Sequence, residues 1–140
     1  MDRNLSKNYI IGLVESRGSF SFSTQNSRKR RVPSFRIKLH VQDLALIEAI
    51  KEALGLDNKI YVYSPKSRDG AKRHPYAMLI VRDVDGLKNK VIPFFYGNFR
   101  GRKAFQFNDW LERIGKDPWV SDEFKVIHRL YKSKYYKKRE

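Results

Sequence analysis

Lys and Arg number 30 against 15 Asp and Glu in a chain of 140 residues, and this formal net charge of +15 implies a polyanionic partner. A composition that is 41% hydrophobic and 14% aromatic excludes a disordered chain and supports one domain with a core. The absence of cysteine excludes disulfides and thiolate metal sites, His40, His74 and His128 are too scattered to suggest a zinc site, and neither a membrane-length apolar run nor a secretory leader is evident, so an intracellular location (cytoplasm or organelle matrix) is expected.

Ser6 is placed to cap a helix from Lys7 to about Arg17, on which Gly12 and Ser16 share a face that invites close helix contact. Gly18 reads as a stop in the left-handed region. From Ser19 the polar and apolar residues alternate with the period of a strand, to about Gln25. NSRKRR, from Asn26 to Arg31, makes a basic hairpin tip, and Pro33 opens a second strand. Phe35, Ile37, Leu39 and Val41 point one way along it; Arg36, Lys38 and His40 point the other.

Asp43 is placed to cap a helix from Leu44 to Leu54, with Leu46, Ile47, Ile50 and Leu54 as its apolar stripe and Gly55 as its stop. Strands over about Lys59–Tyr63 and Tyr76–Arg82 flank a second basic connection, Ser64 to Pro75. Asp83 begins a helix to about Phe95 that Gly86 and Pro93 interrupt. Ala104, Phe107, Trp110, Leu111 and Ile114 give helical spacing from Arg102 to Ile114, ended by Gly115. A last helix runs from Asp122 to about Tyr136 with a cationic end, YKSKYYKKRE. The order predicts an α+β fold: a four-stranded antiparallel sheet with helices on one face, in one domain over residues 1–140.

The sheet's open face carries Ser19, Ser21, Ser23, Gln25, Arg36, Lys38 and His40, joined by Lys59, Tyr61 and Tyr63, and it has no acid. Arginine, lysine and glutamine reach base edges in a major groove, while serine and lysine hold phosphates. Arg28, Lys29, Arg30 and Arg31 at one tip, and Lys66, Arg68, Lys72 and Arg73 at the other, would extend such a contact. Duplex DNA is the expected partner and structured RNA the alternative.

IIGLVESRGSF, from Ile10 to Phe20, resembles the signature of the LAGLIDADG homing endonucleases, with Ile10 to Gly18 standing at its nine positions. FRIKLHVQDLALIEAIKEALG, Phe35 to Gly55, is similar to the family's second strand and following helix, and FRGRKAFQFNDW, Phe99 to Trp110, to its basic segment. The resemblance implies an αββαββα fold whose sheet forms a saddle on DNA. It implies that the signature helix packs against a twin through Ile10, Gly12, Leu13 and Ser16, in a homodimer or in a heterodimer with an acid-bearing relative.

In the family, an acid at the eighth signature position holds divalent metal. Here that position is Arg17, which cannot ligate a metal and stays protonated. Glu15 is the nearest carboxylate, but two residues apart on a helix means a different side. The family's polar residue late in strand two falls at Leu39 or His40, and its basic active-site residue at Arg102 or Lys103. The expectation is a sequence-specific DNA-binding protein with cleavage impaired by Arg17. The rival readings are an active endonuclease, which would need Mg2+, and an RNA-binding splicing cofactor or ribonucleoprotein component, motivated by the basic C-terminus.

Overall fold

The computed structural model of the chain describes residues 5–25, 30–64 and 74–137. Helix α1 (Lys7–Arg17) leads into strands β1 (Gly18–Gln25) and β2 (Arg30–His40). A 3-10 turn (Val41–Asp43) leads into α2 (Leu44–Leu54), followed by β3 (Ile60–Tyr63) and β4 (Tyr76–Val81). Next come α3 (Val84–Gly86), a π-helical turn (Leu87–Val91) and α4 (Ile92–Phe95), which continue one another. Helices α5 (Arg102–Lys116) and α6 (Asp122–Lys132) close the order. The sheet is antiparallel throughout with strand order β1-β2-β4-β3. The expected α+β architecture is present.

The register explains the two faces. Phe20 pairs with Phe35, which pairs with Val81, while Ile37 pairs with Leu79, which pairs with Ile60. Phe20, Phe35, Ile37, Leu79 and Val81 are buried, so the helices cover this face. Phe20 lies among the rings of Phe107 (4.8 Å between centroids), Phe35 (5.1 Å), Trp110 (5.2 Å) and Phe99 (5.7 Å). Removing one such buried ring costs about 3–5 kcal/mol, so this cluster anchors β1 to α5.

Local signals set several boundaries. Gly55 ends α2 at φ 72°, and its N–H returns to the carbonyls of Glu52 and Lys51. Asp43 precedes α2 as expected but makes no side-chain cap; His40 Nδ1 instead accepts from Gln42 N–H at 3.1 Å in the preceding turn. Asp83 does cap its helix, accepting from Gly86 N–H at 2.8 Å. Pro93 does not break the helical path. The π turn shifts the bonding so that Ile92 N–H donates to Leu87, just before the residue that has no N–H to give.

Three glycine or boundary expectations are corrected. Gly18 is extended, at φ −86° and ψ 166°, not left-handed; a Cβ there would lie 2.5 Å from Val14 Cγ1 and 2.9 Å from Val14 O. Close approach to α1, not turn geometry, requires glycine. Gly115 does not end α5, which runs through Lys116; a Cβ there would lie 2.3 Å from Cδ2 and Cγ of the His128 ring on α6. Helix α6 stops at Lys132, short of Tyr136. Tyr136 is buried, and its hydroxyl donates to Lys88 O at 3.0 Å, which pins the terminal segment on the π turn.

Lys125 Nζ donates to the carbonyls of Ile114, Gly115 and Asp117 at 2.9, 3.1 and 2.6 Å, which satisfies the end of α5. Among the described residues, no helix is long and apolar enough to cross a membrane.

Candidate nucleic-acid interface

The residues opposite the core make the open face. Ser19 pairs with Arg36 and Arg36 with Ile80; Lys38 pairs with Met78 and Met78 with Tyr61; His40 pairs with Tyr76 and Tyr76 with Tyr63. Lys38 and His40 are exposed, and the Arg36 Nε is buried without a hydrogen-bond partner among the described residues. Lys38 Nζ lies 4.9 Å from the Tyr76 ring centre, Lys59 Nζ 5.2 Å from that of Tyr61, and Tyr63 stacks on Tyr76 at 5.1 Å.

The serines are less free than the pattern suggested. Ser34 is fully buried between Ser21 and Ser23, with its Oγ 3.5 Å from Ser21 Oγ and 3.4 Å from Ser23 Oγ. Arg31, expected at the interface, turns away: its Nη1 pairs with Asp117 at 2.7 Å, and its N–H donates to Trp119 O at 3.0 Å. Burial pushes the Asp117 carboxyl up, but the Trp119 N–H and Arg31 outweigh it and hold it below the usual range. Arg30 is exposed at the start of β2. Arg28, Lys29, Lys66, Arg68, Lys72 and Arg73 lie outside the described residues, as does the side chain of Gln25.

The junction of α1 and β1 lies at one end of this face. Ser6 Oγ accepts from Tyr9 N–H at 3.1 Å and starts the helix. Ile10, Ile11 and Val14 bury one side of α1. Ile10 is fully buried in the chain's own core, which removes it from the expected pairing face. Gly12 and Ser16 are exposed and Leu13 partly so. Arg17 is exposed at the helix end, with no hydrogen bond or ion pair among the described residues.

Two clasps hold this junction. The Glu15 carboxylate accepts from the backbone N–H of Arg100 and, at 2.9 Å, of Gly101, and these bonds hold its pKa below the usual carboxylate range. It therefore serves the otherwise uncapped start of α5, where Gly101 has no side chain to cap with and the first turn carries no acid. Lys103 Nζ donates to Gly18 O at 2.5 Å and to Gln106 Oε1 at 3.1 Å. Gln106 Oε1 also accepts from Phe20 N–H at 3.0 Å. Burial pushes the Lys103 amine down while Glu15 pulls it up. Arg102 is exposed beside it. Gln106 was missed in the sequence, where its place on a polar helix face gives no sign of a strand 86 residues earlier. Leu39 is buried on the apolar side and His40 stands on the open face.

Residues 10–114 match the family model described as LAGLIDADG endonuclease. The chain belongs to the LAGLIDADG endonuclease family. Over 94 residues it is 31% identical to a probable intron-encoded DNA endonuclease 1 of Mycosarcoma maydis, an alignment that covers 67% of this chain and 31% of that protein. Its fold is similar to that of the LAGLIDADG homing endonuclease I-GzeII, solved in complex with its DNA target: TM-score 0.66, 23% identity, 93% of this chain and 44% of that one. The homing endonuclease I-TnaI aligns at TM-score 0.63 and 17% identity, over 93% of this chain and 98% of that one. The chain thus spans under half of the first two relatives and nearly all of the third.

LAGLIDADG endonucleases generally depend on divalent metal, and the junction residues do not fit one. Arg17 offers only N–H donors. The Glu15 carboxylate is turned onto the backbone of residues 100 and 101. No group of three or more His, Asp or Glu among the described residues is arranged to hold an ion. The arrangement is suited to gripping an anion: Arg17 and Arg102 are exposed on the two helices that Glu15 and Lys103 tie together at the junction.

Proposed function

We propose that this chain is a LAGLIDADG unit that binds duplex DNA on the open face of its sheet and does not cut it unaided. The observation that carries the reading is Arg17, a fixed cation at the end of α1 where cleavage needs a metal-ligating acid. Hydrolysis of a phosphodiester by metal requires carboxylate and phosphate oxygens around the ion. A guanidinium instead holds the phosphate itself. Arg36, Lys38 and His40 face the duplex, and Arg102 adds a phosphate contact beside Arg17.

The unit works in a pair. On Gly12 a Cβ would meet nothing within 4 Å, so no contact inside the chain calls for glycine there. Ser16 turns its hydroxyl back to Leu13 O at 3.1 Å, which leaves this face of α1 smooth. A second copy approaching along Gly12, Leu13 and Ser16 accounts for both features, and a two-fold pair reads a roughly palindromic site.

The test is selection of a binding site from randomised duplexes, followed by gel shift and incubation of the selected duplex with Mg2+. Retention of intact duplex supports the reading; ready double-strand cleavage sinks it. Structured RNA outcompeting duplex DNA at matched salt would also overturn it, and salt must be matched because phosphate contacts are salt-dependent.

A further inference from the structure

A cleft of about 910 Å3 opens beside the junction, between α1, the end of β2 and the paired ends of β3 and β4. One part of its wall is apolar: Leu13, Leu39, Leu46 and Pro75. The rest carries the exposed side chains of Arg17, Lys38, His40 and His74, and Asp43 is the only acid among its described lining residues. The half-buried rings of Tyr63 and Tyr76 belong to the same wall, stacked at 5.1 Å and inclined by 30°, with the Lys38 ammonium 4.9 Å from the Tyr76 ring centre, so a base laid on the pair must displace that ammonium.

A planar apolar ring carrying an adjacent phosphate matches this lining. Aromatic side chains stack any base, since every base has a π-face. Arginine holds a phosphate by parallel N–H donors, and imidazole and ammonium add further donors. A paired and stacked base inside a duplex offers only its edge, so the ligand that reaches these rings is a nucleotide out of the stack. We propose that this cleft is a pocket for one unstacked nucleotide, its base against the Tyr63–Tyr76 pair and its phosphate toward Arg17 and His74. The proposal rests on the reading of the chain as a nucleic-acid-binding unit. It adds a second ligand state to that reading: a strand with an unpaired position is held more tightly than a continuous duplex of the same charge.

The experiment is fluorescence anisotropy at fixed salt with four probes: a continuous duplex, the same duplex with one unpaired central nucleotide, a single strand of about a dozen nucleotides, and a free mononucleotide. The expected result is tighter binding of the interrupted duplex than of the continuous one. Tyr76→Ala is expected to lower affinity for the interrupted duplex and the single strand about tenfold, a larger loss than for the continuous duplex, which touches the same sheet face, while Tyr76→Phe keeps all three. Matching circular dichroism of the two variants confirms that the sheet is intact. Saturable mononucleotide binding that Tyr76→Ala abolishes supports the pocket and identifies a free nucleotide as sufficient. Equal binding of interrupted and continuous duplex, unchanged by Tyr76→Ala, overturns the pocket and leaves duplex recognition standing. Failure of all four probes to bind removes both.

Discussion

The carboxylate of Glu15, on the signature helix, accepts a 2.9 Å hydrogen bond from the backbone N–H of Gly101, at the start of α5. The same carboxylate takes the N–H of Arg100. An acid from one helix thus supplies the cap that another helix lacks, and it fixes Arg102 and Lys103 relative to Arg17. Glu15→Ala is expected to lower stability by about 1 kcal/mol, the usual worth of a lost cap, and Glu15→Asp to recover little because the shorter side chain falls short of both N–H groups. Chemical denaturation of the three proteins measures this.

The acid limb of stability follows from the same contact. The carboxyls of Glu15, Glu112 and Asp117 are all held below their ordinary range, Glu15 first by the Gly101 and Arg100 N–H groups and Glu112 first by Lys132. A depressed folded-state pKa contributes stability that is present above the unfolded value, near pH 4, and is lost as pH falls through the folded value. Thermal unfolding is expected to be flat with respect to these three groups from pH 5 to 7 and to weaken below about pH 4. Glu15→Gln should reduce that fall, as read by differential scanning calorimetry across the range.

Gly115 and His128 make a second specific test. Alanine is the better helix former by about 1 kcal/mol, yet a Cβ at Gly115 collides with the imidazole of His128. Gly115→Ala is expected to destabilise by about 1–3 kcal/mol, the range for overpacking. Adding His128→Ala should recover most of that loss, a coupling that a double-mutant cycle measures. An additive double mutant would show that α6 does not pack on α5 through this pair.

Gly12 gives the opposite sign. With no atom within 4 Å of its Cβ position, Gly12→Ala is expected to leave the fold intact and to raise monomer stability by up to about 1 kcal/mol. Gly12→Leu should abolish self-association in analytical ultracentrifugation while keeping native circular dichroism. Undiminished association of Gly12→Leu would remove α1 from the pairing interface.

Much of this was legible because its causes are local. Leu44–Leu54 has an apolar stripe and a left-handed glycine stop, and both observed ends agree with the reading. The alternation in β1 and β2 fixed which side faces the helices. What was not legible depends on partners far along the chain. Gly18 and Gly115 read as stops because glycine marks a left-handed turn and a close approach alike, and the atoms that crowd them belong to Val14 and His128. Arg31 sits in a basic run, and nothing near it announces Asp117. Ile10 lies within the signature, yet its helical phase puts it inside the chain's own core. Tyr76, Met78 and Ile80 escaped notice on the open face because β4 is apolar on both sides, which hides its alternation.

The central claim is that Arg17 separates gripping from cutting, and one side-by-side measurement tests it most directly. The chain and its Arg17→Asp variant are incubated with the same selected duplex and Mg2+, and both gel shift and cleavage products are followed. The expected result is that both proteins shift the duplex, that the native sequence leaves it intact, and that fragments appear only with Arg17→Asp. Mg2+-dependent double-strand cleavage by the native sequence would contradict the account.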